Sequence, residues 1–474
     1  MFSLLILLLA ATLLDSPAGH AAPSGAPPAV EDPACARRIE QAESLLKKDL
    51  YEDALDLAGS TVDRCPANAR AHVAQADALY RRGDFEEAER HYRRAVELDS
   101  GLAAAHFGVG RILRTLGRYG DAAASFARAL ALDPDRPKYL RIMANHLARH
   151  RDSLAMLRRY VELVKRNPGS DEEAALGNVE AWIALLEKVG DEPLQQMVKK
   201  EPTSVPLQVR SKVASIKINV AGVKNRRFVF DTGATGVTIS PRLARRAKLE
   251  PIRPFTIAGT GSRRTETGDL VLIDELTVGD RIVLHNVPAT VRDPLGPEAG
   301  LIGPSLFGQL AMTIDLKGRR LTFDRPGASR PGTVLPFRNV GGEIVIRTAV
   351  NDVAFNTLVD TGATSTIIGR TTVGRLPDMD ALPGRWFGGV SMGVGGPLAD
   401  RKVILTGTLT VAGRSYPADG MLSGNLDGIS RSLESEIYVI LGVPELDDFI
   451  LTIDYRAMTV TFAARASNKT GKRR

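Results

Sequence analysis

The stretch "FVFDTGATGVTIS", residues 228–240, places Asp231 between an apolar, strand-like run and a glycine turn. The stretch "NTLVDTGATSTIIG", residues 356–369, repeats this arrangement around Asp360. One Asp-Thr-Gly alone is weak evidence, because aspartate and glycine are common wherever a strand enters a turn. Two copies raise a sharper question, which is whether the surrounding sequence is duplicated as well.

A matching closing element follows each copy. In the first block it is "GLIGPSLFGQLAMTIDLKGRRLTF", with Gly303, and in the second it is "VILGVPELDDFILTIDYRAMTVTF", with Gly442. The spacing from either glycine to the next Thr-Ile-Asp is the same, at Thr313 and at Thr452. β-branched alternation and glycine-rich turns run through both blocks, so each is predicted to be a β-rich lobe. The blocks are one duplicated unit, with a short net insertion between Asp360 and Gly442 in the second copy.

A different repeat occupies the first part of the chain, with the period of about 34 residues that is typical of one class of helical repeat. Its clearest copy carries small and aromatic residues at Ala76, Tyr80, Gly83, Phe85, Ala88, Tyr92 and Ala95. One period later stand Gly110, Arg114, Gly117, Tyr119, Ala122, Phe126 and Ala129. The pattern resembles the tetratricopeptide repeat (TPR), whose small residues let antiparallel helices pack closely. The resemblance implies an α-solenoid of three clear copies, a degenerate fourth and a capping helix, with a concave face that binds a protein partner.

Two cysteines, Cys35 and Cys65, flank the first repeat. In an antiparallel helix pair the start of the first helix lies beside the end of the second, so a Cys35–Cys65 disulfide is predicted. Such a bond suits an oxidising compartment. Two free, buried thiols are the alternative.

The apolar run at residues 4–14 is too short to span a bilayer and is followed by small residues, as in a signal peptide cut after Ala21. The expected location is therefore the periplasm or the exterior, with an uncleaved membrane anchor as the alternative. The predicted divisions are the signal peptide at 1–21, a Pro-rich linker at 22–34, helical repeats at 35–190, a linker at 191–205, a first lobe at 206–325, a linker at 326–334, a second lobe at 335–464 and a basic, disordered tail at 465–474.

Composition excludes several classes of protein. With 44% hydrophobic and 25% charged residues among 474, the chain is globular and long enough for several domains. Of the formal net charge of +7, four charges come from the last six residues, so nucleic acid is not expected as a partner. His146 and His150 stand one helical turn apart without a carboxylate or thiol partner in the pattern, so no metal site is expected.

A strand leading into Asp-Thr-Gly-Ala, followed downstream by two apolar residues and Gly before a short helix and a last strand, resembles the retropepsin type of aspartic protease. Both signatures occur in both blocks, and the resemblance covers the β-rich part of the chain. It implies an all-β, two-lobed acid-protease domain following the all-α repeats. It also implies an endopeptidase that uses Asp231 and Asp360 as a catalytic pair, without metal or organic cofactor.

The chemistry of such a pair explains why the motif is written twice. Two carboxylates in contact share one proton because both cannot ionise together. The ionised member would take a proton from the attacking water, while the other donates toward the developing oxyanion. Thr232 and Thr361 are expected to hydrogen-bond across the pseudo-twofold axis. Gly233 and Gly362 are expected to adopt tight, often left-handed backbone and to offer their N–H groups to the carboxylates.

Mobile flaps over a bound peptide are the last element that the resemblance implies. Glycine-rich segments between apolar strands place them at Gly259, Thr260 and Gly261 and at Met392 and Gly393, with ordinary hairpin turns as the alternative. Two further alternatives concern function and assembly. The protease-like part could be an inactive, peptide-binding scaffold, or lobes could pair between chains.

Overall fold

The computed structural model describes residues 32–147, 150–210, 212–258, 265–293, 298–376, 379, 381–383, 392–393, 396–397 and 403–465. The chain divides into two compact units, Met1–Asp191 and Glu192–Arg474. The predicted signal peptide at 1–21, most of the linker at 22–34 and the tail beyond residue 465 lie outside the described residues. Within the described ranges, no helix combines the length and the apolar character needed to cross a membrane.

The first unit is built from helices joined by short loops. They are α1 (Pro33–Lys47), α2 (Tyr51–Arg64), α3 (Ala69–Arg82), α4 (Phe85–Leu98), α5 (Ala103–Thr115), α6 (Tyr119–Leu132), α7 (Pro137–Ala144), α8 (His150–Arg166) and α9 (Leu176–Val189). Each of α1 to α8 packs against the next helix in the chain. This is the solenoid that the period of the repeat predicts.

Small residues set the spacing between these helices. A Cβ atom added at Gly110 would lie 2.6 Å from the ring of Phe126, which is closer than atoms can approach without movement. Gly83 has a φ of 86°, in the left-handed region where glycine is favoured, and it ends α3. The repeat positions are therefore occupied by residues that the packing and the turns require.

A disulfide joins α1 to the end of α2. Cys35 lies in the first turn of α1, Cys65 directly follows α2, and their Cα atoms are 6.6 Å apart. The bond closes a loop whose ends are 30 residues apart in sequence. It ties together the first helix pair of the solenoid, where no preceding described helix covers α1.

Loss of this disulfide is expected to destabilise the helical unit. Closing a loop of this length restricts the unfolded chain, so the Cys35→Ser/Cys65→Ser variant should lose about 2–4 kcal/mol of unfolding free energy. Hydrogen exchange of peptides from α1 and α2, followed by mass spectrometry, reports the local loss. Reductant should increase the mass of the denatured wild-type chain by two hydrogen atoms and leave the double variant unchanged. Equal masses before and after reduction of the wild type would contradict the bond.

The second unit is rich in β-structure. Its strands up to the end of the first lobe are β1 (Gln196–Lys200), β2 (Thr203–Pro206), β3 (Gln208–Arg210), β4 (Val213–Val220), β5 (Val223–Phe230), β6 (Val237–Ile239), β7 (Arg253–Ala258), β8 (Thr265–Val278), β9 (Ile282–Val291), β10 (Gly300–Ile302), β11 (Ala311–Asp315) and β12 (Arg320–Asp324). The later strands are β13 (Thr333–Pro336), β14 (Arg338–Val340), β15 (Glu343–Val350), β16 (Val353–Val359), β17 (Ile367–Gly369), β18 (Ala381–Pro383), β19 (Met392–Gly393), β20 (Gly396–Pro397), β21 (Val403–Leu405), β22 (Thr408–Val411), β23 (Arg414–Pro417), β24 (Leu422–Gly424), β25 (Val439–Leu441), β26 (Phe449–Asp454) and β27 (Thr459–Ala464). The short helices are α10 (Pro241–Arg246), α11 (Arg370–Arg375), α12 (Asp427–Leu433) and α13 (Val443–Leu446).

The two lobes repeat one local topology. In the first lobe, β4 and β5 form an antiparallel pair, and β10 lies between β5 and β6. In the second lobe, β15 and β16 form the pair, and β25 lies between β16 and β17. Both central strands run parallel to the strand that leads into Asp-Thr-Gly-Ala. The duplicated sequence therefore folds into duplicated structure.

One sheet joins the lobes. Among the described strands its order is β13-β27-β26-β11-β12-β2. The two Thr-Ile-Asp segments pair with each other across β11 and β26, with Thr313 opposite Thr452 and their hydroxyls 2.9 Å apart. The two lobes of one chain therefore pair with each other. From the sequence alone, pairing between lobes of different chains was an alternative.

The segment that sequence analysis treats as a linker, 191–205, contains strands instead. β1 pairs with β9 at one edge of the first lobe, and β2 pairs with β12 at one edge of the joining sheet. Met197 and Val205 are buried there, and Pro206 ends an edge strand, where a missing N–H is tolerated. Prolines and charges in this stretch resemble a linker in sequence, although Met197 and Val205 pack into the fold. The linker at 326–334 likewise ends early, since β13 begins at Thr333.

Candidate active site

The paired aspartates directly follow the ends of two strands. β5 ends at Phe230 and β16 at Val359, each one residue before its aspartate. The neighbouring central strands fix the turns, since the Asp231 N–H donates to the carbonyl of Ile302 at 3.1 Å and the Asp360 N–H to that of Leu441 at 3.0 Å. Each turn is therefore held in place by the central strand that pairs in parallel with the strand before it, β10 with β5 and β25 with β16.

Thr232 and Thr361 lock the two turns together. The Thr232 N–H donates to Thr361 Oγ1 at 3.1 Å, and the Thr361 N–H donates to Thr232 Oγ1 at 2.8 Å. Each hydroxyl in turn donates across the axis, from Thr232 to the carbonyl of Val359 at 2.7 Å and from Thr361 to that of Phe230 at 3.0 Å. Both side chains are buried, with at most 1% exposed. The four bonds form a reciprocal network that holds the strand ends face to face.

Gly233 and Gly362 place their backbone against the carboxyls. The Gly233 N–H donates to Asp231 Oδ1 at 2.9 Å, and the Gly362 N–H donates to Asp360 Oδ1 at 2.7 Å. A Cβ on Gly233 would lie 2.7 Å from Cγ of Asp360, and one on Gly362 would lie 2.6 Å from Cγ of Asp231. Neither glycine has positive φ. The expected left-handed backbone is therefore wrong, and glycine is needed because the opposite carboxyl occupies the space of a side chain.

The two carboxyls are close enough to share a hydrogen bond. Burial raises the pKa of Asp231 above its usual range, although the hydrogen bond to Asp360 and the glycine N–H groups act against that rise. Burial together with the charge of Asp231 raises the pKa of Asp360 well above its usual range. The pair therefore titrates as one unit that retains a proton under conditions where an isolated aspartate is ionised.

Antiparallel strands are found at or beside both predicted flap positions. β7 pairs with β8 up to Ala258 and Thr265, and the predicted positions Gly259, Thr260 and Gly261 lie outside the described residues. Met392 and Gly393 form β19, which pairs with β20. The role of both segments as flaps stays a prediction.

A third carboxyl group lies beside the pair, and sequence reasoning missed it. Glu343 begins β15, only 7% of the residue is exposed, and its Oε2 has no hydrogen-bond partner among the described residues. Burial, together with the charge of Asp231, raises the pKa of Glu343 to about 8. The signal was available in the sequence, because β15 and β16 are joined by the short turn Asn351-Asp352, and counting outward from it places Glu343 opposite Asp360.

Comparison with known proteins supports both halves of this description. Residues 215–306 match the aspartyl protease family model, and residues 39–103 and 73–137 match the tetratricopeptide repeat model. A protein titled "Protein CTR9 homolog" from Arabidopsis thaliana is 31% identical over 119 residues, which are 25% of this chain and 11% of that protein. "Protein HemY" from Escherichia coli K12 is 26% identical over 184 residues, 38% of this chain and 46% of that protein. The chain thus spans less than half the length of these curated relatives.

Among solved structures, an aspartic proteinase from Irpex lacteus aligns with 56% of this chain and 98% of its own, at 13% identity and a TM-score of 0.36. The family match to the protease ends at residue 306, before the second lobe begins. The chain is a TPR-containing protein with a protease-like, β-rich domain. The resemblances to the tetratricopeptide repeat and to retropepsin-like aspartic proteases are confirmed, and so is the order of an all-α part before a β-rich part.

Proposed function

We propose that the β-rich unit is an aspartic-type endopeptidase, in which Asp231 and Asp360 activate water for peptide-bond hydrolysis. The observation that carries the proposal is the contact between the two carboxyls at the meeting point of equivalent turns. A structural role alone does not require two half-buried carboxyls to share a site, because like charges in contact are costly.

The proposed roles follow from the shared proton. The ionised member accepts a proton from water as the water oxygen attacks the scissile carbonyl, and the protonated member donates to the developing oxyanion. Because Oδ1 of each aspartate accepts a hydrogen bond from the N–H of the glycine two residues on, both carboxyl planes are fixed before substrate arrives. The pair can exchange roles, so neither aspartate is permanently the acid or the base.

The proposed substrate is a peptide segment in extended conformation. The β7–β8 hairpin of the first lobe and the β19–β20 hairpin of the second are the proposed flaps, whose backbone groups would pair with such a segment. The helical unit is proposed to recruit the substrate protein or a partner protein, since repeats of this class bind proteins and seldom catalyse. The Cys35–Cys65 disulfide supports the proposal that the protein works in an oxidising compartment outside the cytosol.

Incubation of the purified full chain with a denatured protein between about pH 4 and 9 tests the activity. We expect new peptides, identified by mass spectrometry, whose amount grows linearly with enzyme concentration and time. Activity should persist upward in pH for as long as the pair holds one proton, and the pH series is extended until the alkaline limb is reached. A tightly bound peptide without cleavage at any pH would instead favour the inactive, peptide-binding scaffold. The absence of both binding and cleavage would overturn the proposal.

A further inference from the structure

Glu343 occupies a position that the proposed chemistry does not use. In the β15–β16 pair, Val345 lies opposite Leu358 and Ile346 opposite Thr357. Continuing this register by two residues places Glu343 opposite Asp360, on the same face of the sheet. Directly opposed residues have Cβ atoms about 5 Å apart, so their side chains interact. The charge of Glu343 acts on Asp360, in accordance with this placement.

The first lobe has no equivalent carboxyl. There Ser215 lies opposite Val229, so the same count places Val213 opposite Asp231. The pseudo-twofold symmetry that relates the aspartates, threonines and glycines is therefore broken at this position, where one lobe carries valine and the other glutamate. A residue kept only to pack the strand end would not need to be ionisable.

Among the described residues, no positive group acts on the charge of Glu343. Strands β13, β16 and β22, which contact β15, carry no titratable side chain. The charged side chains on the other elements beside β15 and its preceding turn are Arg338 on β14 and Asp427 and Arg431 on α12. Arg338 lies opposite Val345, two residues further along β15. The charge that acts on Glu343 is the negative one of Asp231, and not that of any of these groups.

We propose that Glu343 is a positioning residue that acts through the Asp231–Asp360 pair. It extends the pH range over which the pair keeps its shared proton. This inference rests on the proposed function. A neutral Glu343 does not repel the pair, so loss of the shared proton then depends on the two aspartate carboxyls alone. Once Glu343 ionises, a third negative charge in the same buried site makes loss of the shared proton less favourable.

The variant Glu343→Gln keeps the shape and removes the charge. We expect the alkaline limb of its cleavage profile to move to lower pH by roughly one unit, with little change in kcat on the plateau. Glu250→Gln, an exposed substitution in the same lobe as Asp231, is the matched control and should leave the limb in place. Should the Gln variant not fold, Glu343→Val tests the same point with the residue that the first lobe carries. Coincident alkaline limbs in wild type and variant would overturn the proposal.

A second readout does not depend on cleavage. A carboxyl whose pKa is higher in the folded chain than in the unfolded chain contributes to the unfolding free energy. That contribution is fully present below the unfolded pKa and is lost as pH rises through the folded pKa. For Glu343 the window runs from about 4.5 to about 8. Unfolding free energy should therefore fall more steeply across this window in wild type than in Glu343→Gln. In an Asp231→Asn/Asp360→Asn background the Glu343 transition should move to lower pH, since the negative charge of the pair is gone.

The cleavage profile and the stability profile together test the proposed function separately from the coupling of the three carboxyls. A Glu343 transition that depends on the aspartates, in a protein without cleavage activity, would overturn the proposed function and leave the coupling of the three carboxyls intact. Parallel stability profiles in wild type and Glu343→Gln would overturn the coupling itself, whether or not the protein cleaves peptides.

Discussion

The variants Asp231→Asn and Asp360→Asn are each expected to lose peptide cleavage by roughly 10³-fold or more. Asn keeps the shape of the side chain and cannot exchange a proton with water or with the oxyanion. Because the two carboxyls act as one unit, the double variant should be no worse than either single variant. Initial rates of cleavage of one identified peptide bond, measured at the pH optimum of the wild type, provide the comparison.

Folding of these variants must be shown separately. We expect both to be at least as stable as wild type near neutral pH, since each substitution removes an ionisable group from a half-buried pair of carboxyls in contact. Asp274→Asn, an exposed substitution on β8, is the control for a change from aspartate to asparagine in the same unit and should retain full activity. Cleavage that persists in a folded, homogeneous Asp231→Asn or Asp360→Asn protein would show that the reaction uses other groups.

Much of the fold could be predicted because its signals are periodic or repeated. The regular spacing of small and aromatic residues predicts the helix pairs, and the match between the two closing elements predicts the paired lobes. The Thr-Ile-Asp segments also appear twice, but nothing in a single copy indicates its partner. Only the duplication suggests that Thr313 and Thr452 face each other, as equivalent strands do across a twofold axis.

The site was harder to predict wherever contacts cross between lobes. The role of Gly233 depends on Asp360, which lies in the other lobe, and local sequence supplies only the general preference of glycine for turns. Glu343 was missed for a related reason, since its distance to Asp360 depends on exact strand register. The strands at 196–206 were missed because edge strands tolerate the prolines and charges that also mark linkers.

Thr361→Val is expected to cause a large loss of stability. The valine methyl replaces the hydroxyl with similar volume, but it leaves the Thr232 N–H without an acceptor and the Phe230 carbonyl without its hydroxyl donor. Two buried groups that lose these bonds should lower the unfolding free energy of the β-rich unit by about 2–4 kcal/mol. Hydrogen exchange of peptides from this unit, measured over a denaturant series, separates its unfolding from that of the helical unit.

The matched variants decide whether the hydroxyl itself is responsible. Thr361→Ser keeps the hydroxyl and should recover most of the loss, whereas Thr235→Val changes an exposed threonine in the same kind of turn and should be nearly neutral. Thr232→Val removes the other half of the network and should cost a similar amount. Cleavage should fall in both buried valine variants, because the aspartates follow directly from the strand ends that the threonines hold together. Equal stability of Thr361→Val and Thr235→Val would contradict the proposed importance of the network.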